Sequence, residues 1–157
     1  MSNQPTEHTL RYRIWYSYWL KVMTETLNRR VDTMTNAASL VLGAVIFAAS
    51  DLSWLFGGII AILSGSRIAW QFGKKAEAAR QQNKRYRTLI NEMHSLSIDE
   101  MQASINTLEE FDSPALSCLF NPARNRATIS LGLDKKHMEK LSITERAVSG
   151  LAGGVPN

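Results

Sequence analysis

The sequence predicts an all-α protein built on an integral membrane hairpin of two transmembrane helices. An N-terminal amphipathic helix precedes the hairpin, and a helical cytoplasmic stalk and a C-terminal helical segment follow it. From Thr33 to Ser66 the chain carries one charged residue, Asp51, near the middle. The apolar halves on either side, the second of which ends at Phe72, make helices of roughly 27 and 31 Å, close to the ~30 Å hydrocarbon core.

Two helices joined by a turn at residues 50–53 are the expected arrangement of this stretch. Lipid offers the backbone no hydrogen bonds, so each span must satisfy its own polar groups as a helix. A hairpin buried in a soluble core is the alternative, and we favour it less because basic residues flank the paired apolar runs.

Residues 1–32 are predicted to form the cytoplasmic or interfacial N-terminal helix. Aromatic and basic side chains crowd together there, with Trp15 and Trp19 beside Arg13 and Lys21. This mixture suits the headgroup region of a membrane or the packing of one helix on another. It also suits base stacking with phosphate contacts. Because a hairpin follows at once, we do not expect nucleic acid as a partner.

The hairpin is assigned to residues 33–73, and its second helix carries a small residue at every fourth position. The members of this small-residue row are Ser53, Gly57, Ala61, Gly65, Ala69 and Gly73. Small side chains let helix backbones approach closely in a bilayer, where apolar contact gives little drive for association. We expect the row to pack on the first helix or, in a second interpretation, to join protomers around a pore.

Charge at the ends of the hairpin predicts its orientation. Arg29 and Arg30 precede the first span, Lys74 and Lys75 follow the second, and the turn carries only Asp51. The positive-inside rule then places both termini in the cytoplasm. The net charge of +4 suits an anionic membrane surface, and membrane lipids are therefore expected partners.

Aromatic and basic side chains near the ends of the spans are predicted to lie at the membrane interface. They are Trp15, Trp19, Trp54, Arg67, Trp70, Lys74 and Lys75. Arg67 falls about one turn inside the second span, from where its long side chain can reach the headgroups. The alternative is that Arg67 lines a water-filled cavity, and we favour the first interpretation.

Residues 74–132 are predicted to form a cytoplasmic helical region. The run from Lys74 to His94 is rich in helix formers and has no Gly or Pro, so it continues the second span as a stalk. A capping box at residues 97–100 opens the next helix. Residues 112–114, Asp-Ser-Pro, end that helix, and Asn121-Pro122 begins another.

Two stretches of opposite charge lie in this region. Seven basic residues and one acid occur between Arg67 and Arg87, whereas six acids and no Lys or Arg occur between Glu92 and Asp112. The two stretches could pair within one chain or between chains. Residues 133–157 are predicted to form a mobile C-terminal tail, either a loose helix opened by a capping box at residues 142–145 or a docking peptide.

Catalytic patterns are missing from the sequence. There is no glycine-rich phosphate loop, no zinc-ligand spacing, and no nucleophile with a matching base. The lone cysteine, Cys118, lies between apolar residues and is expected to be a buried packing residue. We predict a protein that is not an enzyme, with no catalytic residue, cofactor or metal.

The order of elements resembles the SLATT family of bacterial two-span effectors. Residues 11–30, the hairpin up to Phe72, and residues 86–119 with the run LEEFDSPALSCL carry the likeness, which covers about residues 10–132. Members of that family are associated with nucleotide-signalling and other conflict systems, and are thought to oligomerise and permeabilise the inner membrane. The resemblance implies a bacterial inner-membrane location and a homo-oligomer. It transfers no binding-site residue.

Three functional hypotheses follow. The leading one is an oligomeric inner-membrane effector that forms or gates a pore, in an anti-phage or conflict system, under the control of a cytoplasmic regulatory protein or a nucleotide signal. The second is a non-conducting membrane anchor or adaptor that recruits a cytoplasmic partner through residues 98–111 and the tail. The third is a phage-type holin or exclusion protein.

Overall fold

A computed structural model describes residues 6–48 and 53–156, and the fold within these ranges is entirely helical. The six α-helices are α1 (Glu7–Ala48), α2 (Ser53–Trp70), α3 (Phe72–Glu92), α4 (Ile98–Glu110), α5 (Phe120–Ser130) and α6 (Ile143–Leu151). Short 3-10 turns cover Ser117–Leu119 and Lys135–His137. Apart from Ser53, the predicted turn at residues 50–53 lies outside the described residues.

Helix α1 passes without a break through the boundary predicted at residues 32 and 33. Its 42 residues form one rod of roughly 63 Å, so the N-terminal helix and the first apolar segment are a single element. No Gly or Pro occurs in this rod before Gly43. The hydroxyls of Thr35 and Ser39 donate to the carbonyl oxygens four residues earlier, Val31 and Thr35, so these polar groups are satisfied within the helix.

Helices α2 and α3 form the antiparallel partner of α1, and both pack against it. They are separated by Gln71, whose backbone is left-handed with φ 48° and ψ 46°. The hydrogen bonds of the backbone continue on either side, because Gln71 N–H donates to Arg67 and Lys75 N–H donates to Gln71. Gln71 therefore marks a local kink between two nearly continuous helices.

The helical base is formed by the N-terminal half of α1, by α3, and by the three C-terminal helices. One face of α1 meets α3 and α4 in a cluster of Leu10, Ile14, Tyr86, Leu89, Met93, Met101 and Ile105. Another face meets α5, α6 and the first 3-10 turn in a cluster of Leu20, Met23, Leu27, Leu119, Ala123 and Ala152. Helix α1 is thus the central rod of the base.

The other half of the molecule is an apolar hairpin, defined as residues 33–48 and 53–72, which projects from the base. Within the described part of α1, nothing beyond Asn28 is buried, and α2 contains no buried residue. Leu40, Ile62 and Ile68 are large apolar residues that are 73–76% exposed. In the described residues one helical stretch, Ser53–Glu92, is long and apolar enough to cross a membrane, by length and composition alone.

The C-terminal segment is packed on the base, in contrast to the predicted mobile tail. Both predicted capping boxes, Ser97 with Glu100 and Ser142 with Glu145, are present. Ser149 and Ala152 are fully buried, and Arg30 donates to the carbonyl oxygens at the end of α6. The tail docks because α6 supplies an apolar face that completes the second cluster.

Candidate functional site

The junction between the base and the apolar hairpin is closed by an ion pair between α1 and α2. The Nε of Arg67 lies 3.4 Å from Oδ1 of Asp32. These two residues bracket the stretch in which Asp51 is the sole charge. Arg67 is predicted to reach headgroups or, in the alternative, to line a cavity, and the structure places it against Asp32 in the wall of a cavity. Pairing lowers the cost that each charge would carry near an apolar medium.

A cavity of about 360 Å³ lies at this ion pair. Asp32, Arg67, Gln71 and Lys74 contribute its polar lining. Gly73 approaches α1 closely there, since a Cβ on it would meet the Asp32 carboxylate at 3.8 Å. The kink at Gln71 therefore falls beside the one ion pair that joins α1 to α2 in the described residues.

A second cavity, the junction cavity, lies between α1, the start of α3 and the loop that follows α4. Its volume is about 340 Å³. Its lining residues are Thr24, Asn28, Trp70, Phe72, Lys75, Pro114, Ala115 and Leu116. The indole of Trp70 and the side chain of Leu116 are 56% and 55% exposed, so the cavity opens at the level where the hairpin leaves the base.

The loop beside this cavity is held by a buried polar network. Lys21, only 2% exposed, donates to the Ser113 carbonyl at 2.7 Å and lies 3.1 Å from Oδ2 of Asp112. The hydroxyl of Tyr86 donates to the same oxygen at 3.1 Å. Gln82 donates to the Phe111 carbonyl and accepts from the Ser113 backbone and hydroxyl. Residues 111–113 are thus tied to both α1 and α3.

Burial governs the ionisation of this network. Oδ1 of Asp112 is buried without a hydrogen-bond partner. Desolvation raises the pKa of Asp112 above its usual 3.8, against the opposing effect of the Lys21 ammonium. Desolvation also raises the pKa of Tyr86, and the nearby Asp112 carboxylate adds to that shift. The neutral phenol is therefore the form that donates to Asp112.

Two of the acidic residues of α4 and its following loop pair with basic residues of α1. Arg13 makes a bidentate ion pair with Glu109, and Lys21 pairs with Asp112. The hydrogen bond to Glu109 raises the pKa of Arg13. In the described residues, the one ion pair that α3 makes is Arg80 with Glu77 on the same helix. The basic stretch of α3 is thus left facing solvent instead of pairing with the acidic stretch.

The four middle members of the small-residue row face away from α1, whereas Gly73, at its end, approaches Asp32 of α1. Gly57, Ala61, Gly65 and Ala69 are exposed, and a Cβ on Gly57 or Gly65 would meet nothing within 4 Å. The half-buried residues of α2 are Ser53, Phe56, Ile60, Leu63 and Ser66. The middle of the row is thus not the face that α2 buries in the single chain, and the predicted packing of the row on α1 is limited to its end at Gly73.

Two of the predicted interface residues, Trp15 and Trp19, are half-buried and pack against the two clusters of the base. Trp19 donates from Nε1 to the Ser130 hydroxyl at 2.7 Å, and the Arg126 guanidinium lies 5.0 Å from its ring centre. Trp15 packs against the first cluster and meets Tyr18 edge-on. These residues are corrected to helix-packing residues, because the C-terminal helices and α3 cover the faces of α1 on which they stand.

The other predicted interface residues lie where the sequence places them along the hairpin. Trp54 is 75% exposed at the start of α2, and Trp70 is exposed at its end. Lys74 and Lys75 are exposed in the first turn of α3. Whether these side chains meet headgroups stays a prediction.

The residues that join the elements at the junction are only partly indicated by the sequence. Asp32 and Arg67 are the two charges that limit the apolar stretch, so their pairing could be predicted. The sequence places Asp112 in a helix break and at the end of the acidic stretch, and Lys21 in an aromatic and basic pattern, but it does not indicate that these two pair. Gln71 carries no sequence signal for a left-handed backbone, since that region favours Gly, Asn and Asp.

Comparisons with protein-family models, with curated proteins and with solved structures found no match. The class that the fold defines is therefore stated from its geometry: a helical base that carries an exposed apolar helical hairpin. In the part of the chain that the structure describes, no three His, Cys, Asp or Glu side chains are grouped so as to hold a metal ion.

Proposed function

We propose that the protein is an oligomeric inner-membrane effector whose apolar hairpin crosses the bilayer and whose helical base controls a pore from the cytoplasm. The observation that carries this proposal is the apolar hairpin, which nothing in the described chain covers. The resemblance to the SLATT family adds the hypothesis of a bacterial anti-phage or conflict system.

The energetics of exposure favour a lipid environment for the hairpin. Each fully exposed Leu or Ile forgoes about 1.5–3 kcal/mol that burial away from water would contribute. Leu40, Val41, Ile62 and Ile68 are all exposed in the single chain. Helix α2 spans roughly 27 Å over 18 residues, close to the ~30 Å core, and the end of α1 runs antiparallel beside it.

The outward direction of the small-residue row favours association between copies. Two helices alone enclose no water-filled path, so a pore requires hairpins from several protomers. The exposed backbone along Gly57, Ala61 and Gly65 allows a neighbouring helix to approach closely. Arg29, Lys74 and Lys75, at the base end of the hairpin, favour a cytoplasmic base.

The experiment compares two Gly→Leu substitutions in the apolar hairpin. Gly65→Leu blocks the small-residue row on α2, and Gly43→Leu is the matched control, because Gly43 also has nothing within 4 Å but lies on α1, away from the row. We expect wild type and Gly43→Leu to form the same large detergent-extracted particle and to release dye from liposomes. Gly65→Leu should shift to smaller particles and lose most of the release.

Two outcomes would contradict the proposal. Wild-type protein that stays folded and monodisperse in the supernatant after high-speed centrifugation without detergent would exclude a membrane hairpin. Equal effects of the two substitutions would exclude the row as the assembly face.

The adaptor hypothesis is favoured by a separate observation on the base. Ile143 and Phe111 are large apolar side chains that the described chain leaves exposed, as a partner-binding surface would require. Membrane insertion with silent liposome recordings would select this function. Dye release by the isolated chain without any trigger would instead favour a holin-like protein.

A further inference from the structure

We propose that the junction cavity binds an anionic phospholipid of the cytoplasmic leaflet, with the phosphate at Lys75 and the first acyl carbons against Trp70 and Leu116. This inference rests on the proposed function, because it takes the level of the cavity as the membrane surface. It adds a site for one specifically bound lipid to a hairpin that is otherwise surrounded by the bulk lipid of the bilayer.

The size and walls of the cavity suit an amphiphile. Its volume of about 340 Å³ falls within the ~300–1,000 Å³ typical of small-molecule sites. Trp70, Phe72, Pro114 and Leu116 make most of its surface apolar, and Trp70 and Leu116 stand more than half exposed at its mouth. Exposure of these apolar side chains to water is unfavourable, and the acyl carbons of a bound lipid would cover them.

The polar lining suits an anion. No acidic side chain lines the cavity, in contrast to the neighbouring one, which contains Asp32. Lys75 is exposed and makes no ion pair with any described residue. Near a membrane, a free ammonium of this kind is attracted to anionic headgroups by about 1 kcal/mol.

Asn28 supplies hydrogen-bonding groups inside the cavity. Its amide nitrogen donates to the Thr24 carbonyl at 2.8 Å, while the Thr24 hydroxyl is occupied with Leu20. A second amide hydrogen and the carbonyl oxygen of Asn28 are then available for a bound headgroup. An N–H donor beside an ammonium matches a phosphate diester oxygen, and the carbonyl oxygen matches a headgroup hydroxyl.

The position of the cavity selects a membrane lipid over a soluble anion. Trp70 ends the apolar α2 and Phe72 begins α3, so the acyl chain of a lipid seated at Lys75 would run along the apolar hairpin. A soluble phosphate would leave Trp70 and Leu116 facing water.

The test uses full-length protein in non-ionic detergent with phosphatidylglycerol or phosphatidylcholine of identical acyl chains. Native mass spectrometry counts retained lipids, and thermal unfolding measures the stabilisation by each lipid. Lys75→Glu reverses the charge at the cavity. Lys74→Glu is the matched control, because Lys74 lines the neighbouring cavity instead.

We expect phosphatidylglycerol to bind wild type and Lys74→Glu alike, and Lys75→Glu to bind it at least about tenfold more weakly. Lys75→Gln, a milder change at an exposed position, should weaken the binding of phosphatidylglycerol by an intermediate amount. It replaces Lys75→Glu in the test if the protein with the reversed charge misfolds. Equal weakening by both glutamate substitutions would show diffuse surface charge and overturn the proposal. Equal binding of the two lipids, or equal stabilisation by glycerol 3-phosphate without acyl chains, would also overturn it.

This assay separates the inference from the proposed function. Binding is measured in micelles, so the result depends on the cavity and not on whether the hairpin spans a bilayer. A protein that binds phosphatidylglycerol through Lys75 but fails to pellet with membranes would refute the proposed function alone. A protein that pellets with membranes and conducts ions, but shows no preference for the anionic lipid, would refute only the lipid site in the junction cavity.

Discussion

At the scale of single residues, Asp112 is where α1, α3 and the loop after α4 meet. Its Oδ2 pairs with the Lys21 ammonium and accepts a hydrogen bond from the Tyr86 hydroxyl, whereas its Oδ1 is buried without a hydrogen-bond partner. A buried ion pair with an unsatisfied oxygen is a weak source of stability, because desolvation offsets much of the Coulombic attraction. Removing one partner still leaves an uncompensated charge. Asp112 therefore holds the loop in one position at a cost that depends on its ionisation.

The raised pKa of Asp112 predicts that protonation stabilises the folded base. The folded state binds a proton more tightly than the unfolded state does, so the free energy of unfolding falls as pH rises from the usual pKa of 3.8 to the raised one. Above the raised pKa this contribution is flat. Thermal unfolding in detergent between pH 4 and pH 7 should show the decline, and Asp112→Asn should flatten it.

Glu100 provides a control of opposite sign. Its hydrogen bonds from Ser97 lower its pKa, so its contribution is present above the usual value of 4.5 and is lost as pH falls through the lowered one. Glu100→Gln should therefore remove stability at neutral pH, whereas Asp112→Asn should not remove it through this linkage. An unchanged pH profile in Asp112→Asn would refute the assignment of the slope to this carboxylate.

At the scale of elements, Gln71 is the place where the chain departs from regular helix between α2 and α3. A left-handed backbone costs an L-residue roughly 1–2 kcal/mol, and a β-branched residue suffers most. Gln71→Gly should raise the unfolding temperature because it relieves the strain, and Gln71→Val should lower it. Both are measured by thermal unfolding in detergent. A higher unfolding temperature for Gln71→Val than for Gln71→Gly would refute the left-handed backbone at this position.

The elements also show what sequence could and could not reveal. The apolar composition of α2 and both capping boxes are local signals, and helices are found at those positions. That two apolar segments cross a membrane as a hairpin stays a prediction. The predicted boundary at residues 32 and 33 is wrong, because a change from amphipathic to apolar composition does not by itself end a helix. The burial of Trp19 and the docking of α6 depend on contacts between distant parts of the chain, which no local pattern encodes.

Only the charged residues of the junction could be predicted from the sequence. Asp32 and Arg67 limit the apolar stretch in the sequence, and their pairing follows once α1 and α2 are antiparallel. The junction cavity requires Asn28, Lys75 and Leu116 to converge from three separate segments. Its existence therefore depends on how the loop after α4 is held by Lys21 and Gln82, which composition does not specify.

At the scale of the whole molecule, the direction of the base relative to the membrane is the feature that the functional proposal most requires. The base contains both the first turn of α1 and all of α6, so a hairpin that crosses the bilayer as proposed would leave the two ends of the described chain on one side of the membrane. The basic residues beside the hairpin, Arg30, Lys74 and Lys75, predict the cytoplasm for that side. The charge pattern of the sequence predicts the opposite side for Asp51.

The single native cysteine makes this orientation testable. In a Cys118→Ser background, Arg146→Cys introduces a thiol at an exposed position of α6, and Asp51→Cys introduces one between the two apolar segments of the sequence. In intact spheroplasts a membrane-impermeant maleimide should label the thiol at residue 51 and spare the one at residue 146. After the membrane is permeabilised, both should react equally. Labelling at residue 146 in intact spheroplasts would place the base outside the cell membrane and remove the basis for cytoplasmic control. Equal labelling at both positions before and after permeabilisation would mean that the hairpin does not separate two compartments.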